Sequence, residues 1–519
     1  MPESPHSVLT ALRRVRFPLI WLAPLFALLA LGGWAFASPV GSSPDDDFHL
    51  ASIWCAAGGR TSLCEAGATP TTRKVSEALL GAPCFARDST ASGACQAAVF
   101  TRTQLVESNR GNFAGQYPPL YYATMSLFAS NDIQTSVIAM RLVNVILFVG
   151  IMTALTLLLP RRHLPTLLWS WLISVIPLGL FVLASINPSG WTVTGVGTAW
   201  IALLGAYETV GRRRIGLSVV FLLSTVMAVG SRADAAVYLI LTVAAVVFLR
   251  FRPDRRFLRQ CVLPATGVAL AVLALLSSRQ VNVAVDGFPP GAMPTATATA
   301  TAIAHVAAPV GSTLGLLFSN LANAPSLWAG VFGSWELGWF DTKMPFLVAL
   351  GGVGVFSALA FVGLGVLSWR KLLVSIATVA ALWAIPVWTL TRGHESVGVD
   401  LQPRYLLPLI VVLAGFLLLR VGGRTWRLTR VQRILIIVTS SITQSLALFF
   451  TMRRFITGDD VNGFDLGAKA EWWWTGVPGP MFAWVLASLC WVALVIAVVR
   501  FLDRSSADAP TRTTSEVLT

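Results

Sequence analysis

Runs of about twenty apolar residues organise this chain, and they limit its fold more than any other feature. They fall at roughly 17–37, 137–159, 165–186, 191–209, 215–230, 235–249, 262–277, 346–367, 372–391, 404–420, 432–451 and 480–499. A helix of that length matches the hydrocarbon thickness of a bilayer. A helix also satisfies its own backbone hydrogen bonds there, which an open sheet does not. Only 12% of the residues are charged, about half the share in a soluble domain. The expected fold is an all-α polytopic membrane protein with about twelve transmembrane helices, residues 1–503 forming one membrane domain. The runs at 215–230 and 235–249 are short and could form one bent element.

A net charge of +14 would suit a nucleic-acid partner, but the positions of the charges exclude that reading. Arg13, Arg14 and Arg16 precede the first run. Arg161 and Arg162, Arg212 to Arg214, Arg250 to Arg259, Arg370 and Lys371, and Arg420 to Arg433 fill alternate connections. Most carboxylates lie in the other connections. Basic loops stay in the cytoplasm, so both termini are expected there, in a multi-pass protein of the plasma membrane with its large polar segments outside the cell. The first run is longer than the apolar part of a signal peptide, and an even number of crossings needs it as a retained helix. Cys55, Cys64, Cys84 and Cys95 all fall in the first outer segment. Four cysteines in an oxidising compartment suggest two disulfides, the local pairs being Cys55–Cys64 and Cys84–Cys95. The absence of a C-x-x-C pair argues against zinc.

The outer segments are 38–136, 278–345, 392–403 and 453–479. The first opens with a helix expected from Asp45 to about Ala57, capped by Ser42, Ser43 and Pro44. The second starts with the low-complexity stretch Val281 to Val310, followed by an amphipathic helix from about Thr313 to Leu321. Residues 504–519 read as a disordered cytoplasmic tail. No internal repeat of the kind common in transporters is visible.

The densest polar cluster is Asp45, Asp46, Asp47 and His49, at the point where the first span meets water. Charge at that depth is costly without a partner or a task. Asp45 and His49, four residues apart, share a helix face. A carboxylate there can take a proton from a sugar hydroxyl as a general base. Asp47 and His49 are compatible with a divalent cation, Mg2+ or Mn2+, which is not required. Plain helix capping is the competing reading, and three carboxylates with a histidine exceed what a cap needs.

Tyr117-Pro118-Pro119-Leu120-Tyr121-Tyr122 offers rings for stacking on sugars, or an interfacial aromatic belt. Arg141, Arg232 and Arg404 sit at the outer ends of spans, where a guanidinium can hold a lipid phosphate at two points. The alternatives are an ion pair with Asp234 for Arg232 and snorkelling for Arg404. Asn187-Pro188 marks an outer turn. Trp339 and Asp341, with Glu336, can line the same cavity, as can Glu471 with the three tryptophans that follow. No P-loop, zinc-protease or nucleophile-elbow motif is present.

In combination these elements are familiar. Pro44-Asp45-Asp46 with His49, Tyr117-Pro118-Pro119-Leu120-Tyr121-Tyr122, Asn187-Pro188, Gly338-Trp339 with Asp341, and Gln402-Pro403-Arg404-Tyr405 with Pro408 resemble the motifs of an actinobacterial membrane-protein family, domain of unknown function 2142. That family in turn resembles GT-C glycosyltransferases, which take sugars from polyprenyl-phosphate donors on the outer face. The resemblance implies a GT-C-like helix arrangement. It also implies an acidic base in the first outer segment, here Asp45 or Asp46. Asp46 stands where the family usually has Glu, and Ser189 replaces the Asp after Asn187-Pro188. The expected activity is transfer of a sugar from a polyprenyl-phosphate donor to a cell-envelope glycan or lipid acceptor, among membrane lipids and without nucleic acid. Tyr117, Tyr121, Tyr122, Asn187, Arg141, Arg232, Arg404, Trp339 and Asp341 would bind substrate. A transporter or flippase of a lipid-linked saccharide, or a scaffold subunit of an envelope assembly, are the alternatives.

Overall fold

The computed structural model of the protein describes residues 19–277, 313–398, 401–421 and 426–507. The low-complexity stretch 281–310 and residues 508–519 lie outside the described residues; 504–507, expected in the disordered tail, instead continue the helix Pro480–Ala507.

All twelve apolar runs are helical in whole or part. Among the described residues seven helices are long and apolar enough to cross a bilayer: Leu19–Phe36, Ile133–Leu158, Gly211–Ser231, Phe346–Leu364, Trp369–Arg392, Arg430–Ile456 and Pro480–Asp503. The expected count of twelve is therefore not met by that standard, and each shortfall has a physical cause. The run 165–186 splits into Leu164–Ser174 and Leu178–Leu183 around Pro177, which has no N–H to continue a helical ladder. Asp234–Arg250 has 17 residues, and Val262–Ser277 and Pro403–Leu418 have 16 each. Pro188–Glu208 is long enough, but it is rich in Gly, Ser and Thr. It needs no lipid-compatible surface because every residue from Pro188 to Tyr207 is buried in protein.

The elements that position the site are α1 (Ala23–Phe36), α2 (Asp46–Ala56), α3 (Ile133–Leu158), α4 (Pro188–Glu208), α5 (Gly211–Ser231), α6 (Asp234–Arg250), α7 (Trp369–Arg392), α8 (Pro403–Leu418) and α9 (Arg430–Ile456). Helix α4 is the central post. Its glycines admit neighbours that a side chain would push away: a Cβ on Gly195 would strike the Ser224 carbonyl of α5, and one on Gly197 would meet the Trp171 ring. At one end Asn187 caps α4, accepting from the Ser189 N–H at 3.0 Å. At the other end the buried Glu208 carboxylate pairs with Arg250 at 2.8 Å, with Arg162 at 2.6 Å, and with His163. At 1.5 Å per residue, these two polar ends are about 30 Å apart, the depth of a hydrocarbon core.

Segment 38–136 corrects the all-α expectation. It holds a three-stranded antiparallel sheet, β1 (Cys64–Ala66), β2 (Arg73–Ser76) and β3 (Leu105–Ser108), in that order. Val75 lies opposite Cys64 on one side and Val106 on the other. Strands of three or four residues are too short to show an alternating pattern. The disulfides are Cys55–Cys64, tying α2 to β1, and Cys84–Cys95.

Candidate functional site

The chain enters α2 through the turn Ser38 to Asp45, and side chains from four distant elements hold that turn by its carbonyls. Arg141 of α3, fully buried, donates to the carbonyls of Ala35 at 2.8 Å, Ser38 at 2.6 Å and Pro39 at 2.7 Å. The Trp339 indole donates to Gly41 at 2.8 Å. Asn187 donates to Ser43 Oγ at 3.0 Å and to the Pro44 carbonyl at 3.1 Å. Arg404 reaches the Pro44 carbonyl at 3.4 Å. Buried carbonyls need such donors. Arg141, Trp339 and Asn187 thus hold the turn that leads to Asp45, and the Arg141 Nε–H is left buried without a partner.

Asp45 itself adopts φ 63°, a left-handed conformation that Asp tolerates better than most residues. Its carboxylate bridges two guanidiniums: Oδ2 accepts from Arg404 at 2.7 Å and Oδ1 from Arg110 at 3.2 Å. Arg110 also grips Asp47 with two bonds, at 2.7 and 2.9 Å. Burial works against ionised Asp45, but the surrounding charges, Arg404 foremost, outweigh it and hold the carboxyl down at about 2. Asp46 faces the other way. Its Oδ2 accepts from the Ser43 N–H at 3.0 Å, its Oδ1 is buried without a partner, and it is 1% exposed. Burial, only partly offset by Arg141 and the Ser43 bond, raises its carboxyl well above the usual range. The structure thus gives the two candidate bases different surroundings. Asp45 is half-buried and faces the arginines; Asp46 is sealed against the turn.

His49 lies one helical turn beyond Asp45. Its Nδ1 shares a 2.9 Å hydrogen bond with the Tyr122 hydroxyl, and Phe48 and Tyr117 flank its ring. Burial lowers the imidazole to about 3, Arg404, Arg110 and Arg232 adding to the effect and Asp45 opposing it. Tyr117 continues the cluster, because Arg232 stands 5.5 Å from its ring and 4.4 Å from that of Tyr405. Burial pushes the Tyr117 hydroxyl up to about 12. Arg232 makes the ion pair with Asp234, at 2.8 to 3.2 Å. The Tyr405 hydroxyl also accepts from Arg404 at 3.1 Å.

The structure brings Asp45, Asp47, His49, Tyr117, Tyr122, Arg232 and Arg404 into one cluster at the Asn187 end of the bundle. Tyr121 turns into the core against Trp191. Asp341 belongs to another buried pair, with Arg454 of α9 at 2.9 Å. Arg454 also holds the carbonyls of Phe85, Asp88 and Ala91. Asp341 therefore stitches segments 38–136 and 330–345 to α9. Sequence reading missed Arg110 and named Tyr405 as part of a motif without a role at the site. The excess negative charge of Asp45 to Asp47 was the signal that a further cation had to be near.

Of the pair considered for a divalent cation, Asp47 accepts from Arg110 with both oxygens and His49 bonds to Tyr122. Among the described residues no three His, Cys, Asp or Glu side chains gather as a metal cage.

One opening adjoins the cluster, and a second lies further along the same helices. A small cleft of about 20 Å³, room for about one water, is lined by Pro44, Trp335, Glu336, Phe340, Gln402 and Arg404 among others. A larger groove of about 290 Å³ runs between α6, α7 and α8, its lining almost entirely apolar, from Leu241 and Leu409 to Phe248 and Phe416. The same helices carry Asp234 and Arg404 at their ends. By helical rise the groove begins about 8 to 10 Å below them.

These features define a polytopic membrane protein with a charged, aromatic-lined cluster at one end of its bundle. The chain belongs to the family described as predicted membrane protein (DUF2142), whose model matches residues 28–413, a span that includes every member of the cluster. No curated protein and no solved structure matches it.

Proposed function

We propose that the protein is a membrane glycosyltransferase of the cell envelope, moving a sugar from a polyprenyl-phosphate donor to a glycan or lipid acceptor on the outer face. The observation that carries this reading is a cluster of arginines at the ends of helices that, about 8 to 10 Å further along their length, line an apolar groove. Arg404 and Arg232 stand at the ends of α8 and α5, and the groove lies between α6, α7 and α8 below them. That order suits an amphiphile with an anionic head and a long apolar tail. Two disulfides in the segment carrying the cluster support an oxidising compartment. The arginines at the Glu208 end support a cytoplasmic location for that face.

In this mechanism the acceptor hydroxyl loses its proton to the acidic cluster as its oxygen bonds to the anomeric carbon. The bond from that carbon to the phosphate oxygen breaks, and the electron pair stays on the phosphate. The guanidiniums stabilise the added charge, which counts for most in a low-dielectric site. Of the two candidate bases, Asp45 is the one facing the arginines, and Asp46 holds the turn behind it. Tyr117 and Tyr405 supply rings for stacking. No step needs a metal ion.

A transporter would use the same head and tail contacts, but ion-coupled carriers place carboxylates within their spans. The seven long apolar helices contain no Asp or Glu before Asp503. Purified protein in nanodiscs, given a radiolabelled polyprenyl-phosphate sugar and envelope acceptors, should transfer label. The Asp45→Ala variant should lose that transfer by 100-fold or more, as removal of a general base commonly does. Movement of the donor across liposomes without transfer would favour the carrier instead.

A further inference from the structure

The contact between Asp45 and its two arginines has the form of an occupied anion site. One carboxylate oxygen meets Arg404 at 2.7 Å and the other meets Arg110 at 3.2 Å, so two guanidiniums from residues 294 positions apart in sequence converge on a single anion. Two oxygens on one small centre are also what a phosphate presents to paired guanidiniums. A second feature points the same way. Arg404 is 3% exposed, and its Nε–H is buried with no partner, an unmet donor in the side chain at the middle of the cluster. An orphaned charged donor of this kind is costly and calls for an acceptor. Arg232 differs, since Asp234 grips it with three bonds. The side chain of Asp45 is 34% exposed, so its place can be reached from outside.

We infer that Arg404 and Arg110 are the two cations of a phosphate site, and that the Asp45 carboxylate is a resident stand-in which an incoming phosphate displaces. The inference rests on the lipid-phosphate reading above. It adds Arg110 as a headgroup ligand and gives Asp45 two states. While paired, the carboxylate is a weak base held by two cations. Once phosphate takes the guanidiniums, the carboxylate is released beside the bound donor with its basicity restored. The arginines exchange one anionic partner for another, and because the Asp45 carboxylate stays beside them the cluster gains the charge of the phosphate. Proton transfer is then coupled to donor binding, so the base acts only when a donor is present.

The exchange makes an unusual demand: removing the candidate base should tighten binding of the donor headgroup. The test is binding of decaprenyl phosphate to the full-length protein in nanodiscs, with inorganic phosphate as the parallel arm. Asp45→Asn retains a residue that tolerates the left-handed backbone, and Asp45→Gly is the second variant should Asn pack badly. Loss of one partly exposed internal ion pair predicts decaprenyl phosphate binding about fivefold tighter than wild type in both. Arg110→Gln should loosen it about tenfold. Inorganic phosphate should bind much more weakly throughout, because it lacks the tail. An equal response to inorganic phosphate would overturn the lipid source of the ligand. Unchanged or weaker lipid binding in both Asp45 variants would overturn the exchange alone. Failure of decaprenyl phosphate to bind wild type would bring down the lipid-phosphate reading itself.

Discussion

Asp341→Asn separates architecture from chemistry. Asp341 and Arg454 form a 2.9 Å pair with both side chains 2% exposed. Removing one partner of a buried pair costs about 3–5 kcal/mol, because the other charge stays behind. Here the penalty belongs at the low end. Arg454 retains the carbonyls of Phe85 at 3.0 Å, Asp88 at 2.9 Å, Ala91 at 2.5 Å and Asp341 at 3.2 Å, and the asparagine keeps an oxygen for one bond. A loss of about 3 kcal/mol corresponds to roughly 100-fold in an opening equilibrium. Hydrogen exchange read by mass spectrometry should show it in peptides spanning 85–91 and 337–342. Peptides from α2 and α8 should keep their protection, and decaprenyl phosphate affinity should stay within about twofold of wild type. Unchanged exchange accompanied by lost lipid binding would refute the reasoning and return Asp341 to the ligand site.

Two further outcomes follow from the same contacts. Asp46→Asn should melt no lower than wild type at neutral pH: burial raises the folded-state carboxyl, so its contribution is intact below the unfolded value and is lost as pH rises through the folded one. An asparagine cannot ionise, so its advantage should shrink as pH falls into the ordinary carboxylate range, and a variant that melts lower throughout would contradict the assignment. Replacing Cys55 and Cys64 together by serine opens a loop of 9 residues and should cost about 2.5 kcal/mol, seen as faster proteolysis between Cys55 and Arg73 with α8 unaffected.

Much of the membrane part was legible in the sequence because hydropathy is a local property. Each apolar run marked a helix, but a run cannot say whether its helix faces lipid or protein. That is why Pro188–Glu208, buried from Pro188 to Tyr207, looked like any other span. The sheet in 38–136 escaped because strands of three and four residues carry too little pattern. Within the cluster, Asp45, His49 and Arg404 were findable because each is a polar residue close to where an apolar run begins or ends, the position at which charge needs a reason, and Tyr122 because it belongs to the motif Tyr117-Pro118-Pro119-Leu120-Tyr121-Tyr122. Arg110 lies mid-segment, 63 residues from Asp47, and nothing local distinguishes it from any solvated arginine. The roles of Arg141, Trp339 and Asn187 depend on whose carbonyls they meet. Residue type predicted that these side chains matter, and only the fold shows that they hold the turn leading to Asp45.

The central claim, an anionic head at Arg404 with an apolar tail descending between α6, α7 and α8, is tested most directly by photocrosslinking. A decaprenyl phosphate carrying a photoreactive group in its first isoprene units, activated on the full-length protein in nanodiscs, should label peptides from 234–250, 369–392 and 403–418. An excess of unlabelled decaprenyl phosphate should compete. Arg404→Gln should lower that labelling about tenfold or more, in keeping with loss of a charged contact. Labelling spread evenly over the lipid-facing helices, or unchanged in the Arg404 variant, would contradict the account.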